Sequence, residues 1–262
     1  MKFTDFNFHE SLLEGIAASN YENATPVQEQ VIPLILDGRD IIASAQTGTG
    51  KTAAFLLPLI QRLLTLPSSD HHINALIIVP TRELAVQVKD ALSPLGKATG
   101  VRVKAMYGGV SMDPQIDALR KGVEIIVGTP GRLIDLLERG EMELGSIEIM
   151  VLDEADRMLD MGFLPALKRI VAATPRTRQT LLFSATLPRE IQELTERYQK
   201  DAVRVAATPP EPGFRPSAPA IQPHRPRSRW LRLGASSSAS RLLLSPAQIR
   251  SAAIEADRAG GS

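Results

Sequence analysis

The chain has no cysteine in 262 residues. Disulfides, thiolate nucleophiles and cysteine-built zinc sites are therefore excluded. Histidine is almost as scarce: His9, His71, His72 and His224 follow no metal-ligand spacing and read as solvated or loop residues. No apolar stretch reaches the roughly 18 residues that a membrane span needs. The opening Met1-Lys2-Phe3-Thr4-Asp5 is polar and carries no signal-peptide apolar region, so the expected compartment is the cytoplasm. An excess of charge of one sign is lacking too, since the formal net charge is +1. Global attraction to a polyanion is thereby excluded, and any nucleic-acid binding has to use a local basic face. Apolar residues are plentiful. At 44% of the chain they suffice to bury one good core and part of another.

Short apolar runs at 41–43, 75–79, 101–106, 124–127, 147–152 and 180–183 alternate with helical patterns at 81–92, 114–121, 131–139, 156–172 and 188–199. Most of the runs are continuous rather than alternating, as strands buried on both faces of a parallel sheet are. The expectation is a doubly wound, mostly parallel α/β domain over residues 1–207. In such sheets ligands sit at the carboxyl ends of the strands. The composition then changes. Pro209-Pro210-Glu211-Pro212-Gly213-Phe214-Arg215-Pro216 opens a stretch rich in Pro, Ser, Ala and Arg, and no lysine occurs after Lys200. Residues 208–262 are expected to form a largely disordered tail. Its Arg225-Pro226-Arg227-Ser228-Arg229-Trp230 run has the charge and ring to touch RNA, but a solvated tail without a role is the favoured reading.

The most informative segment is Ala45-Gln46-Thr47-Gly48-Thr49-Gly50-Lys51-Thr52, set between an apolar run and a helical pattern. Strand, glycine loop and helix in that order form the context of a phosphate-binding P-loop. Gly48 and Gly50 let the backbone curl so that N–H groups point at phosphate oxygens, and the helix adds its positive end. Lys51 is placed to reach the β- and γ-phosphates and the Thr52 hydroxyl to ligate Mg²⁺. Ala45 stands where the strict pattern has Gly. Residues 48–53 also fit a dinucleotide-binding pattern. That reading needs an acid at the end of the next strand, where the chain has Pro80-Thr81-Arg82. A second constellation, Asp153-Glu154-Ala155-Asp156, ends another apolar run. Asp153 there suits Mg²⁺, and Glu154 suits orienting or deprotonating an attacking water.

With these acids in place, the chain resembles the first RecA-like domain of DEAD-box ATP-dependent RNA helicases. The resemblance covers residues 1–207, about four-fifths of the chain, and its short N-terminus is most similar to the bacterial branch related to RhlE. It implies ATP and Mg²⁺ as ligands, RNA gripped through its backbone as partner, and a monomer. It implies an adenine-reading element at Asn20-Tyr21-Glu22-Asn23-Ala24-Thr25-Pro26-Val27-Gln28 with Phe3 upstream. An amide can pair bidentately with adenine, and Phe3 is expected to stack on the ring. Asn20 and Ala24 replace the family's usual Gly and first Pro.

The resemblance implies RNA-backbone contacts at Pro80-Thr81-Arg82, Gly108-Gly109 and Thr129-Pro130-Gly131-Arg132. Hydroxyls, backbone N–H groups and an Arg at helix starts suit phosphate. It also implies that Ser184-Ala185-Thr186 couples hydrolysis to strand separation, with Asp156 as the partner of its hydroxyls. A complete helicase of this family has a second RecA-like domain that supplies an arginine finger. After Ala207 no further strand-helix series and no His-Arg-x-Gly-Arg-x-Gly-Arg-like segment is found. The abrupt change reads as a shifted frame or truncation rather than a half-helicase with an arm. Such a finger is worth roughly 10³–10⁵ in rate, so slow hydrolysis by these residues alone is expected. The rival expectation is a non-catalytic ATP- and RNA-binding module. A DNA-directed motor is the weaker third.

Overall fold

The computed structural model describes residues 1–44, 48–66 and 72–206. Gln46 and Thr47 of the glycine loop, and the whole segment 207–262, lie outside the described residues. Seven strands form the sheet: β1 (Ile41–Ser44), β2 (Ala75–Ile78), β3 (Val103–Met106), β4 (Ile125–Gly128), β5 (Ile149–Asp153), β6 (Gln179–Ser184) and β7 (Val203–Ala206). Their order is β3-β4-β2-β5-β6-β1-β7. Every pairing is parallel.

The helices are α1 (Glu10–Ala18), α2 (Pro26–Leu36), α3 (Lys51–Thr65), α4 (Arg82–Thr99), α5 (Asp113–Arg120), α6 (Pro130–Glu138), α7 (Ala155–Asp160), α8 (Leu164–Ala172) and α9 (Arg189–Tyr198). They lie in two layers. Alternate strand residues such as Ala43, Ile77, Val127, Val151 and Phe183 face a core shared with α1 to α4. Their neighbours Ile42, Leu76, Ile126, Met150 and Leu182 face the other core, with α6 to α9. The uninterrupted apolar runs are the consequence of this two-sided burial. The expected doubly wound α/β class is the observed one.

Three elements depart from expectation. First, α4 runs to Thr99 rather than residue 92, carrying Pro94 inside it and stopping at Gly100, where φ is +79°. The buried Val88, Leu92 and Leu95 hold the helix through the proline. Second, the pattern at 156–172 is two helices, not one. Gly162 has φ +76°; its N–H donates to the Leu159 carbonyl at 2.8 Å and that of Phe163 to the Met158 carbonyl at 2.9 Å. This paired closure ends a helix at a left-handed glycine. Third, Val203–Ala206 forms an edge strand on β1, unannounced by a run of only four residues. Asp40 secures it: its carboxylate accepts the Thr180 and Lys200 N–H groups at 2.7 Å each, and its carbonyl accepts that of Val203 at 2.8 Å. No helix among the described residues is long and apolar enough to cross a membrane.

Candidate functional site

The strand order sorts the sequence motifs into two groups along one edge of the sheet. Adjacent strands β5, β6 and β1 lead into Asp153–Asp156, Ser184–Thr186 and the glycine loop. Adjacent strands β3, β4 and β2 lead into Gly108-Gly109, Thr129–Arg132 and Pro80–Arg82. All six segments follow the carboxyl ends of parallel strands.

In the first group, Gly48 and Gly50 both have φ +89°, a conformation costly for any residue with a Cβ. Lys51 is the first residue of α3 and 8% exposed, with half-buried Thr52 beside it. Asp153 ends β5 and is 6% exposed. Burial pushes its carboxyl up to about 6, against the opposing charge of Lys51 and with some help from Glu154. A desolvated carboxylate under the charge of Lys51, with the Thr52 hydroxyl following that lysine in the chain, is a donor set that fits Mg²⁺. That ion binds through one or two carboxylates plus phosphate oxygens rather than through an all-protein cage.

Glu154 caps α7 in the left-handed region, at φ +54°, which is uncommon for a residue other than glycine and concentrates at functional sites. Its Oε2 accepts a hydrogen bond from Arg157 Nη1 at 3.2 Å. Asp156 sits on the same short helix and meets β6's exit. Its N–H donates to Ser184 Oγ at 3.0 Å, and its Oδ2 accepts the Thr186 N–H at 2.9 Å and hydroxyl at 3.0 Å. Burial raises the Asp156 carboxyl, but the hydrogen bonds from Thr186 and Ser184 outweigh it and leave it below its ordinary value.

Gln28 is 2% exposed and joins α2 to the glycine loop. Its Oε1 accepts the Thr25 N–H at 2.8 Å and its Nε2 donates to the Gly50 carbonyl at 3.0 Å. Thr25 Oγ1 accepts the Gln28 N–H at 3.4 Å and donates to the Thr49 carbonyl at 3.0 Å. A Cβ on Gly50 would lie 2.6 Å from Gln28 Nε2, so glycine is required there twice over. The Thr25-x-x-Gln28 spacing is a capping-box pattern; that signal was available in sequence and places Gln28 against its own helix start. An amide has two donor and two acceptor positions, and these bonds use one of each. Phe3 is not at the surface. At 3% exposure its ring packs at a tilt against Phe6 and Tyr21, with centroids 6.1 and 5.9 Å away.

In the second group, Pro80 is buried and Thr81 caps α4 by accepting the Leu84 N–H at 3.3 Å. Arg82 is exposed, its guanidinium over the Tyr107 ring at 5.1 Å. Gly108, Gly109 and Gly131 are exposed, while Pro130 is buried and Thr129 half-buried. Arg132 is 8% exposed and turned inward: Nη2 donates to the Val110 carbonyl at 3.0 Å. Sequence reasoning missed this inward turn, because the partner lies 22 residues away on another loop.

Parallel strands between two helical layers, with a glycine turn after β1 and acids after β5, define a RecA-like α/β domain. Comparison with known proteins specifies it further. Residues 25–194 match the DEAD/DEAH box helicase family, and the chain belongs to that family. Among curated relatives, the DEAD-box ATP-dependent RNA helicase CshA of Streptococcus pneumoniae serotype 4 is 48% identical over 209 residues, covering 79% of this chain and 39% of that protein. The RNA helicase CrhR of Synechocystis is 47% identical over 203 residues, covering 78% and 40%. A crystal structure of a DEAD box protein from Methanococcus jannaschii superposes with a TM-score of 0.73 at 40% identity, over 79% of this chain and 56% of that one. The chain thus spans about two-fifths of the length of these curated relatives. They carry the names CshA and CrhR.

Proposed function

We propose that the described residues are the ATP-binding half of an ATP-dependent RNA helicase. The observation that carries this is the division of the sheet edge. Motifs suited to a triphosphate follow β5, β6 and β1, motifs suited to a nucleic-acid backbone follow β3, β4 and β2, and one continuous sheet joins them. Lys51 and the N–H groups at the start of α3 hold the β- and γ-phosphates. Gln28 reads the adenine with its remaining donor and acceptor while its other two positions keep the glycine loop closed. Asp153 and Thr52 are the residues that would hold Mg²⁺, which when bound neutralises charge on the β- and γ-oxygens. Glu154 orients the attacking water and takes its proton, for which the carboxylate has to leave Arg157. Arg82, the amides of Gly108-Gly109 and the α6 start at Thr129–Gly131 grip the sugar-phosphate chain without reading bases.

The test is ATP turnover by the 262-residue chain with and without single-stranded RNA, beside labelled-ATP binding. Slow turnover is the expected outcome for this chain alone, and RNA-stimulated turnover that Lys51→Ala and Glu154→Gln each reduce at least about 100-fold is expected once a second RecA-like domain supplies the arginine finger. Only Lys51→Ala should also weaken ATP binding. ATP binding with no turnover at any RNA concentration would select the alternative, a non-catalytic ATP- and RNA-binding module. The Glu154–Arg157 pair at 3.2 Å, which engages the carboxylate in this state, is the feature that favours that reading. Turnover unchanged in Glu154→Gln would remove Glu154 from the mechanism.

A further inference from the structure

The loop between β3 and α5 carries Gly108 and Gly109, both exposed, whose amides serve a phosphate only if something aims them. Gly109 has φ +76°, so the loop has no intrinsic reason to hold one conformation. A buried amide supplies that reason. Gln115, 4% exposed, lies on α5 beneath the loop and bonds to both of its ends. Its Oε1 accepts the Tyr107 N–H at 3.1 Å, and its Nε2 donates to the carbonyls of Tyr107 and Ser111, at 3.2 Å each. Both donors and one acceptor position are spent on the loop backbone. From the side of α6, Arg132 donates to Val110 within the same loop. The Tyr107 ring then carries the Arg82 guanidinium, whose Nη1 would be 4.0 Å from a Cβ at Gly109.

We propose that Gln115 is a positioning residue for the RNA-backbone site. It sets the 107–111 loop so that the Gly108-Gly109 amides and the Arg82 guanidinium, stacked on Tyr107, present one surface to consecutive phosphates. This rests on the RNA reading of the site above. Burying a glutamine side chain is costly unless its polar atoms are paired, and here three hydrogen bonds go to one five-residue stretch of backbone. A buried network satisfied to this degree rigidifies what it touches. Arg82 and Gly109 therefore act as a unit whose geometry Gln115 decides, without Gln115 touching RNA.

The test compares Gln115→Met, of the same length but apolar, and Gln115→Glu, which accepts from Tyr107 N–H but cannot donate, with the parent 262-residue chain. Three readouts are needed: anisotropy of a fluorescent single-stranded RNA, binding of a fluorescent ATP analogue, and hydrogen exchange of residues 107–111. Gln115→Met should weaken RNA binding roughly tenfold, the loss of buried hydrogen bonds at a contact surface. ATP affinity should stay within about twofold, the loop amides should exchange faster, and Gln115→Glu should fall between parent and Met. Arg82→Ala should then cost less in the Met background than alone, because the two act through one surface. Should Gln115→Met not fold, Tyr107→Leu and Tyr107→Phe decide the matter. Leu should lose RNA affinity and Phe should retain it.

RNA affinity equal to the parent's in a folded Gln115→Met chain with a loosened loop overturns the proposal alone. A parallel loss of RNA and ATP affinity assigns Gln115 to general stability and also overturns it. A parent chain that binds no RNA even at low salt removes the RNA reading itself, and this proposal with it.

Discussion

Asp153 shows how one side chain sets the energetics of the nucleotide side. Its carboxyl titrates at about 6 because burial disfavours the charged form more than Lys51 restores it. The folded state therefore holds the proton more tightly than the unfolded state, where an ordinary aspartate titrates near 3.9. Stability is lost as pH rises through the window between the two values and stays lost above it. Replacement with Asn removes this loss. The stability of Asp153→Asn relative to the parent should rise by roughly 2–3 kcal/mol between about pH 4 and about pH 7, measured by urea unfolding without nucleotide or metal. The Glu154 N–H bond to Oδ1, at 3.0 Å, survives in Asn. A pH-independent difference would show that Asp153 is not desolvated as described.

Among the elements, α7 and the exit of β6 form one hydrogen-bonded unit. Six residues make α7, too few to be stable alone, and its first turn is held by Ser184 and Thr186 rather than by propensity. Asp156→Ala removes three side-chain hydrogen bonds and should cost about 1–2 kcal/mol of stability. ATP affinity should remain near the parent's, since Asp156 touches neither the glycine loop nor Lys51 in any described hydrogen bond. Amide exchange at residues 184–187 should rise, and stimulation of turnover by RNA should fall. Loss of ATP affinity instead would place Asp156 in the nucleotide site. The family resemblance implied this unit in part. Asp156, Ser184 and Thr186 were expected to meet, and they do, but the break at Gly162 was hidden because residues on both sides keep the same helical apolar period.

At the scale of the molecule, β7 closes the β1 edge of the sheet directly beside the glycine loop, through the register Ile41↔Val203 to Ser44↔Ala206. Asp40 ties β1, β6 and β7 together at their amino ends. A chain ending at residue 206 should therefore match the 262-residue chain in unfolding midpoint and ATP affinity. A chain ending at residue 198 should lose both, because β1 becomes a bare edge strand. Equal behaviour of the two truncations, in thermal unfolding and ATP titration, would show that β7 is dispensable.

The sequence by itself determined the α/β class, the strand count save one, and the positions of Lys51, Asp153, Glu154 and Asp156. These follow from local rules: apolar period, glycine placement, and acids ending a buried run. Only the tertiary structure decided that Phe3 is packed under other rings, that Gln28 braces the glycine loop, that Arg132 points inward and that Gln115 holds the Gly108-Gly109 loop. Each of these depends on a partner distant along the chain and brought near by sheet order. A pattern of 3.6 or 2 residues carries no information about contacts of that length.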